Sequence, residues 1–225
     1  MSAIQLENIS YEYRSRYGVN QVLKGIDWAF ERGNIYAIVG KSGSGKTTLL
    51  SLMAGLDLPT EGNVLADGVN TRTTDLDLYR RKNVSVVYQG FRLFPLLTAL
   101  ENVMYPLELS NVPAAQAKEQ ALCCMERVGL PAELNDRFPG MMSGGEQQRV
   151  AIARALASQT GIILADEPTG NLDESNSRVI IDLLSDLAHN ANYCVIVVTH
   201  DLGVLPCMDQ VLRMRDGRLS VFERF

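Results

Sequence analysis

The sequence predicts an α/β protein: a mostly parallel sheet with helices on both faces, an antiparallel β portion beside it, and an inserted helical subdomain. Three observations carry this. Short apolar runs such as "NIYAIVG", "GIILAD" and "YCVIVVTH" read as strands buried on both faces. Stretches of helical spacing lie between them, and strands alternating with helices argue for parallel pairing. From about Phe91 to Leu156 the character changes to successive helical patterns separated by Pro and Gly.

The elements run in chain order. "AIQLENIS" alternates as a strand, and "VLKGIDWAF" is a second candidate. "NIYAIVG" ends in glycine, and "SGKTTLLSLMAGL" has the spacing of a helix. "TALENVMYPLEL", "PAAQAKEQALCCMERVGL" and "GGEQQRVAIARALAS" are the helical patterns of the insertion, the last returning to the core. "ESNSRVIIDLLSDLAH" is a helix between two buried strands. "QVLRMRDGRLSVFE" reads as a hairpin around a DG turn. The early strands and this hairpin suggest the antiparallel portion. Residues 1–225 form one unit, with the helical subdomain at approximately 91–156.

Composition narrows the function. Asp and Glu outnumber Lys and Arg, 26 to 21, which argues against nucleic acid as the main partner. No leading apolar run precedes a cleavage site, and no apolar run is long enough to span a bilayer. The expectation is a soluble chain whose membrane role, if any, comes through a partner. The cysteines Cys123, Cys124, Cys194 and Cys207 form no CxxC pair and read as reduced thiols.

Gly40 to Thr47 reads "GKSGSGKT", which fits G-x-x-x-x-G-K-[ST]. A chance match in a chain of this length is on the order of one per cent. A strand precedes it and a helix follows, as a P-loop NTPase fold requires. Glycines let the backbone curl so that N–H groups point at phosphate oxygens, and the helix N-terminus adds partial positive charge. Gly40, Ser42, Gly43, Ser44, Gly45 and Thr48 are therefore nucleotide-binding candidates. Lys46 supplies a full charge to the β and γ phosphates, and Thr47 a hydroxyl to Mg²⁺.

"IILADEP" puts Asp166 and Glu167 at a strand end, where parallel sheets bind ligands. Two adjacent carboxylates repel unless a cation intervenes. Asp166 is placed to hold Mg²⁺, and Glu167 is a candidate base for an attacking water. His200 follows another apolar strand and should open on the same crevice, able to bond a γ-phosphate or orient water. A second glycine turn opens a helix at "MMSGGEQQRVAIARAL". Ser143 is a good N-cap there, and Glu146 completes a capping box.

Together these pieces resemble the ATP-binding cassette family over nearly the whole chain. "SGGEQQR" looks like its signature sequence, "VVYQGF" its Q-loop and "NLD" after "DEPTG" its D-loop. The resemblance implies roles for Gln89 at the catalytic site and metal, for Asp173 at the nucleotide, and for His200 as the switch histidine. Tyr13, in "ISYEYRSRYG", falls where the family stacks an aromatic on adenine, with Tyr11 and Tyr17 as rivals. It also implies a head-to-tail dimer, in which Ser143, Gly144, Gly145 and Glu146 of one chain close over ATP held by the other chain's Lys46. Four positions depart from the family's common pattern: Met142, Glu146, Lys41 and Gly90.

"DEPTGNLD" with "FPLLTALENV" is similar to the lipoprotein-releasing and macrolide-exporting group. That similarity implies an ATPase subunit powering a membrane transporter or mechanotransmission complex. Its partner would be a separate transmembrane permease, met through Gln89 to Leu109, and its place the cytoplasmic face of the membrane. A soluble cassette acting on DNA or ribosomes is the alternative. It is disfavoured by the absence of a coiled-coil insertion and of a second cassette.

Overall fold

The computed structural model describes residues 2–16 and 18–222, so Tyr17 and the final Glu223 of the hairpin pattern lie outside the described residues. In chain order the elements are β1 (Ser2–Ser15), β2 (Gly18–Glu31), β3 (Ile35–Val39), α1 (Lys46–Met53), β4 (Glu61–Ala66), β5 (Val69–Asn70), α2 (Leu76–Lys82), β6 (Ser85–Tyr88), α3 (Ala99–Leu109), α4 (Ala114–Arg127), α5 (Gly144–Ala157), β7 (Ile162–Asp166), α6 (Glu174–Ala191), β8 (Cys194–Val198), β9 (Gln210–Arg215) and β10 (Arg218–Val221).

Two sheets result. β2-β1-β4-β5 is antiparallel, and β10-β9-β3-β8-β7-β6 is parallel except for its β9–β10 edge. The mostly parallel sheet and the antiparallel portion are as predicted. The hairpin is not where its pattern suggested. β9 pairs in parallel with β3 through Tyr36–Val39, so the hairpin extends the main sheet. There Leu212 and Met214 of β9 are buried in the core between the main sheet and the antiparallel sheet. The hairpin turn still meets the antiparallel sheet, where the Lys24 amide donates to the Gly217 carbonyl at 2.9 Å.

The central strands are apolar on both faces because both are covered. Ile163 and Ala165 of β7, and Val195 and Val197 of β8, join the core that α3, α4, α5 and α6 supply. Their alternate neighbours Ile162, Leu164, Cys194, Ile196 and Val198 face α1 and the antiparallel sheet. This is the two-residue strand period with helices on one side and a mixed layer on the other. Each fully buried Leu, Ile or Val of these strands contributes roughly 1.5–3 kcal/mol relative to exposure.

β4, β5, α2 and β6 lie in a stretch where the pattern named no element. β4 buries only Val64 and Ala66, and α2 buries only Tyr79, too few for a visible period. Asp75 caps α2 through the Asp77 and Leu78 amides, while Arg80, Arg81 and Lys82 at its end oppose the helix dipole favourably. α3 and α5 open on matching capping boxes, Thr98 with Glu101 and Ser143 with Glu146.

Register brings the strand ends level. Tyr88 pairs with Asp166, Asp166 with Val198, and Val198 with Ile38. The chain leaves each of these four strands at one edge of the sheet. Gln89, Glu167, Thr199 and the loop from Gly40 therefore begin side by side.

Candidate functional site

The loop after β3 is held by close backbone approach. A Cβ at Gly40 would sit 2.3 Å from the Met214 carbonyl oxygen of β9, and Gly45 adopts φ 106°. Only glycine meets both demands without displacement. Gly45 opens α1 with no side-chain cap, so the first-turn amides of that helix have no intrahelical or side-chain acceptor. Lys46 is buried and curls beneath the loop, its Nζ donating to the Gly40 and Lys41 carbonyls at 2.8 and 3.1 Å. Ser44 carries a buried hydroxyl without a partner among the described residues.

A cavity of about 550 Å³ opens above this loop. Tyr13, Ser42, Gly43, Gly45, Lys46, Thr47, Thr48, Glu167 and His200 line it, with Asn20 and Val22 of β2. Seen from the sequence, Asn20 and Val22 carry no signal: they are ordinary strand residues that the antiparallel sheet brings over the loop. Of the two described candidate rings, Tyr13 and Tyr11, Tyr13 lines the cavity, with its hydroxyl 3.2 Å from Thr48 Oγ1. Tyr11 stands edge-on to Tyr13 and donates to Asp57, which pushes its own pKa up to about 12.

Glu167 takes a left-handed conformation, φ 48°, uncommon for a residue with a side chain. Its amide donates to the Val198 carbonyl at 2.8 Å and its carbonyl accepts from Gly170 at 3.1 Å, which holds the bend. The bend turns the carboxylate onto the end of β8. Oε1 lies 2.8 Å from His200 Nδ1, and Oε2 accepts from the Thr199 hydroxyl and the His200 amide at 3.3 Å. Burial raises the Asp166 pKa, and neighbouring Glu167 adds to the rise, while Lys46 and Arg92 oppose it. Asp166 is thus a carboxylate short of compensating positive charge.

Gln89 stands across from the Glu167–Gly170 turn. Its carbonyl accepts from Asn171 Nδ2 at 2.9 Å, and its Nε2 lies 2.6 Å from where a Cβ on Gly170 would be. Phe91 and Arg92, just beyond, are both left-handed, φ 56° and 47°. Arg154 of α5 holds this bend by donating to the Arg92 and Phe91 carbonyls at 2.8 and 3.1 Å.

Other candidates stand apart. Ser143, Gly144, Gly145 and Glu146 line no part of this cavity. The Ser143 hydroxyl accepts from the Glu146 amide at 3.3 Å and donates to its carboxylate at 2.8 Å. Asp173 caps α6, accepting from the Asn176 amide at 2.8 Å and the Ser175 hydroxyl at 2.7 Å. These bonds, the Asn176 amide first, lower its pKa to about 2. His189, given no role from sequence, lies in the last turn of α6 and bonds Asp209 at 2.9 Å.

Comparison with known proteins agrees with this geometry. The ABC transporter family model matches residues 23–170. The chain is 45% identical over 206 residues to the lipoprotein-releasing system ATP-binding protein LolD of Legionella pneumophila strain Lens, covering 90% of each. It is 40% identical to the uncharacterized ABC transporter ATP-binding protein YclH of Bacillus subtilis strain 168, covering 99% of this chain and 98% of that one. Among solved structures, the dimeric bacterial ABC transporter cassette MJ0796 superposes with a TM-score of 0.87 at 37% identity, covering 99% of this chain and 100% of that one. A post-hydrolysis dimer of the same cassette, bound to ADP and Pi, also gives 0.87, at 36% identity. With the phosphate loop, the strand-end carboxylates and a fold matched along its full length, this chain belongs to the ABC transporter family, as an ATP-binding and ATP-hydrolysing cassette.

Proposed function

We propose that two copies of this chain pair head to tail around two ATP molecules and drive a separate transmembrane permease of the lipoprotein-releasing and macrolide-exporting kind. The observation that carries the reading is the separation of the two glycine loops. The phosphate loop lines the cavity with Glu167 and His200, while the Ser143–Gly145 turn lines no part of it. A glycine turn at a helix N-terminus is well suited to an anion. A second copy brings that turn over the first copy's γ-phosphate, and MJ0796, the similar cassette, is dimeric.

Within each site the geometry supports the roles that the residues and the family resemblance suggest. The uncapped first turn of α1 and the Lys46 ammonium bind the phosphates, and the Tyr13 ring stacks on the base. Glu167 accepts a proton from the attacking water, and its bond to His200 fixes the carboxylate's direction. Gln89, beside the same turn, orients the water from the opposite side. Asp173 acts indirectly, since its carboxylate holds the start of α6. The residues fit Mg²⁺: Asp166 is a desolvated carboxylate beside a second acid, and Thr47 offers a hydroxyl, the hard oxygen donors that this ion prefers. When bound, the ion neutralises charge building on the β and γ phosphates.

The permease docks beside the strained bend. A groove of about 550 Å³ there is lined by Tyr88, Phe94, Tyr105, Leu109, Arg80 and Arg154, among others. Leu96, 86% exposed, stands on the same loop. Arg154 touches both the groove and the bend after Gln89, so movement in one reaches the other. Among the described residues no helix is long and apolar enough to cross a membrane. The chain is placed at the inner face of the membrane by that partner.

Mixing two inactive variants tests the pairing. Lys46→Ala and Ser143→Arg each disable every site of a homodimer. In a mixed dimer one site keeps an intact phosphate loop and an intact signature. Nucleotide trapping in a verified heterodimer, above a control pairing the double variant with native chain, supports sharing. Trapping no higher than the control refutes it.

A further inference from the structure

Six buried side-chain polar atoms lack a hydrogen-bond partner among the described residues, and three of them belong to the consecutive residues Gln148 and Arg149. Gln148 is the sharper case. It is wholly buried, and neither its amide nitrogen nor its amide oxygen is bonded. A buried amide with no partner is unfavourable, and native chains seldom tolerate one without a use. This chain can satisfy such a group. Asn102 of α3, equally buried, accepts from the Phe94 amide and donates to the Phe94, Leu97 and Thr98 carbonyls.

Position suggests the use. Gln148 lies one helical turn after Gly144 and Gly145, on the same face of α5. That face meets the segment leading into α6. A Cβ on Gly145 would lie 2.5 Å from Asn176 Oδ1, and one on Gly144 would lie 3.2 Å from Leu172 and 3.7 Å from the Asn171 carbonyl. Asn176 in turn donates from Nδ2 to Asp173 at 2.8 Å. The two glycines let α5 pack directly against residues 171–176, with no side chain of their own between the two elements. In this arrangement the Gln148 amide is left unsatisfied at that packed face.

We infer that Gln148 is a positioning residue, whose amide gains hydrogen bonds when α5 shifts against residues 171–176 as two copies close on ATP. The inference rests on the pairing proposed above. It assigns Gln148 no contact with nucleotide. It gives the residue a part in setting how tightly the signature turn is held once closed.

Replacing the amide by an apolar chain separates this from a purely structural role. In a Glu167→Gln background, where ATP-bound dimers accumulate, Gln148→Met and Gln148→Leu are compared with the parent. Expected are a thermal midpoint of the nucleotide-free chain equal to or above the parent's, ATP affinity of the monomer within twofold, and an ATP-dimer dissociation constant at least tenfold weaker by sedimentation. Hydrogen exchange should show that ATP protects residues 169–176 in the parent but not in the variants. ATP dimers as tight as the parent's overturn the inference, leaving the pairing intact. So does a lowered thermal midpoint or unfolding in both variants, because the amide must then be bonded already in the free chain. A parent that forms no ATP dimer at all removes the pairing and the inference together.

Discussion

His200 Nδ1 lies 2.8 Å from Glu167 Oε1, though the two residues are 33 apart in the chain. The contact exists because β7 and β8 are register-paired neighbours and Glu167 turns back at a left-handed φ. A carboxylate held this way has its direction fixed. Replacing it by an amide of the same shape should therefore separate the proposed base role from binding. Glu167→Gln is expected to bind ATP within about twofold of native affinity and to lose turnover by about 10²–10⁴-fold, the usual contribution of general base catalysis. Single-turnover ATP hydrolysis with a parallel binding titration checks it. Native turnover in this variant would remove Glu167 from the role of base.

Among the described residues Lys46 donates to carbonyls of its own loop and to no carboxylate, so the ammonium is poised inside the curl. Lys46→Ala should leave the circular dichroism and thermal midpoint close to native. ATP affinity should fall by roughly thirtyfold or more, consistent with about 2–5 kcal/mol for truncating one partner of a buried charged contact. Calorimetric titration with ATP measures this directly, and unchanged affinity contradicts the assignment.

Tyr13 and Tyr11 make contrasting neighbours. Tyr13 lines the cavity, whereas Tyr11 commits its hydroxyl to Asp57. Tyr13→Ala should weaken ATP binding about tenfold, within the ~1–3 kcal/mol typical of one base stacked on an aromatic ring. Tyr13→Phe should keep most of it, because the ring remains. Tyr11→Phe should leave ATP affinity alone. Greater loss from the Tyr11 change than from Tyr13→Ala would exchange their roles.

Asp173 offers a pH test. Its folded pKa, about 2, lies below the ordinary 3.8 because the Asn176 amide and the Ser175 hydroxyl bond the carboxylate. A depressed acid contributes stability above its unfolded pKa and loses it as pH falls through the folded value. Native chain should therefore be more stable than Asp173→Asn near neutrality, and the gap should shrink as pH falls from about 4 towards about 2. Thermal or urea unfolding across that range measures it. A gap independent of pH would show that charge at this cap is irrelevant.

That the glycine loop, the strand-end acids and His200 would gather at one end of the sheet was legible because the signals are local. A Gly-rich turn between an apolar strand and a helix, or "ADE" closing an apolar run, means much the same in any α/β sheet. Ser143 and Glu146 were legible as a capping box for the same reason: three residues of separation suffice. What tertiary structure decided is non-local. Asn20 and Val22 reach the cavity only because the antiparallel sheet folds over the loop, and no pattern within β2 announces it. Tyr13 parts from Tyr11 only by its place along β1, which brings one hydroxyl to Thr48 and the other to Asp57. The hairpin joined the main sheet through the parallel pairing of β9 with β3, a non-local partner invisible in the DG turn that defines the hairpin. Gln148 reads in sequence as one polar residue of a glutamine-rich helix start. Its burial and lack of partners arise only when α5 is packed between its neighbours, since satisfaction of a buried amide depends on atoms far away in the chain.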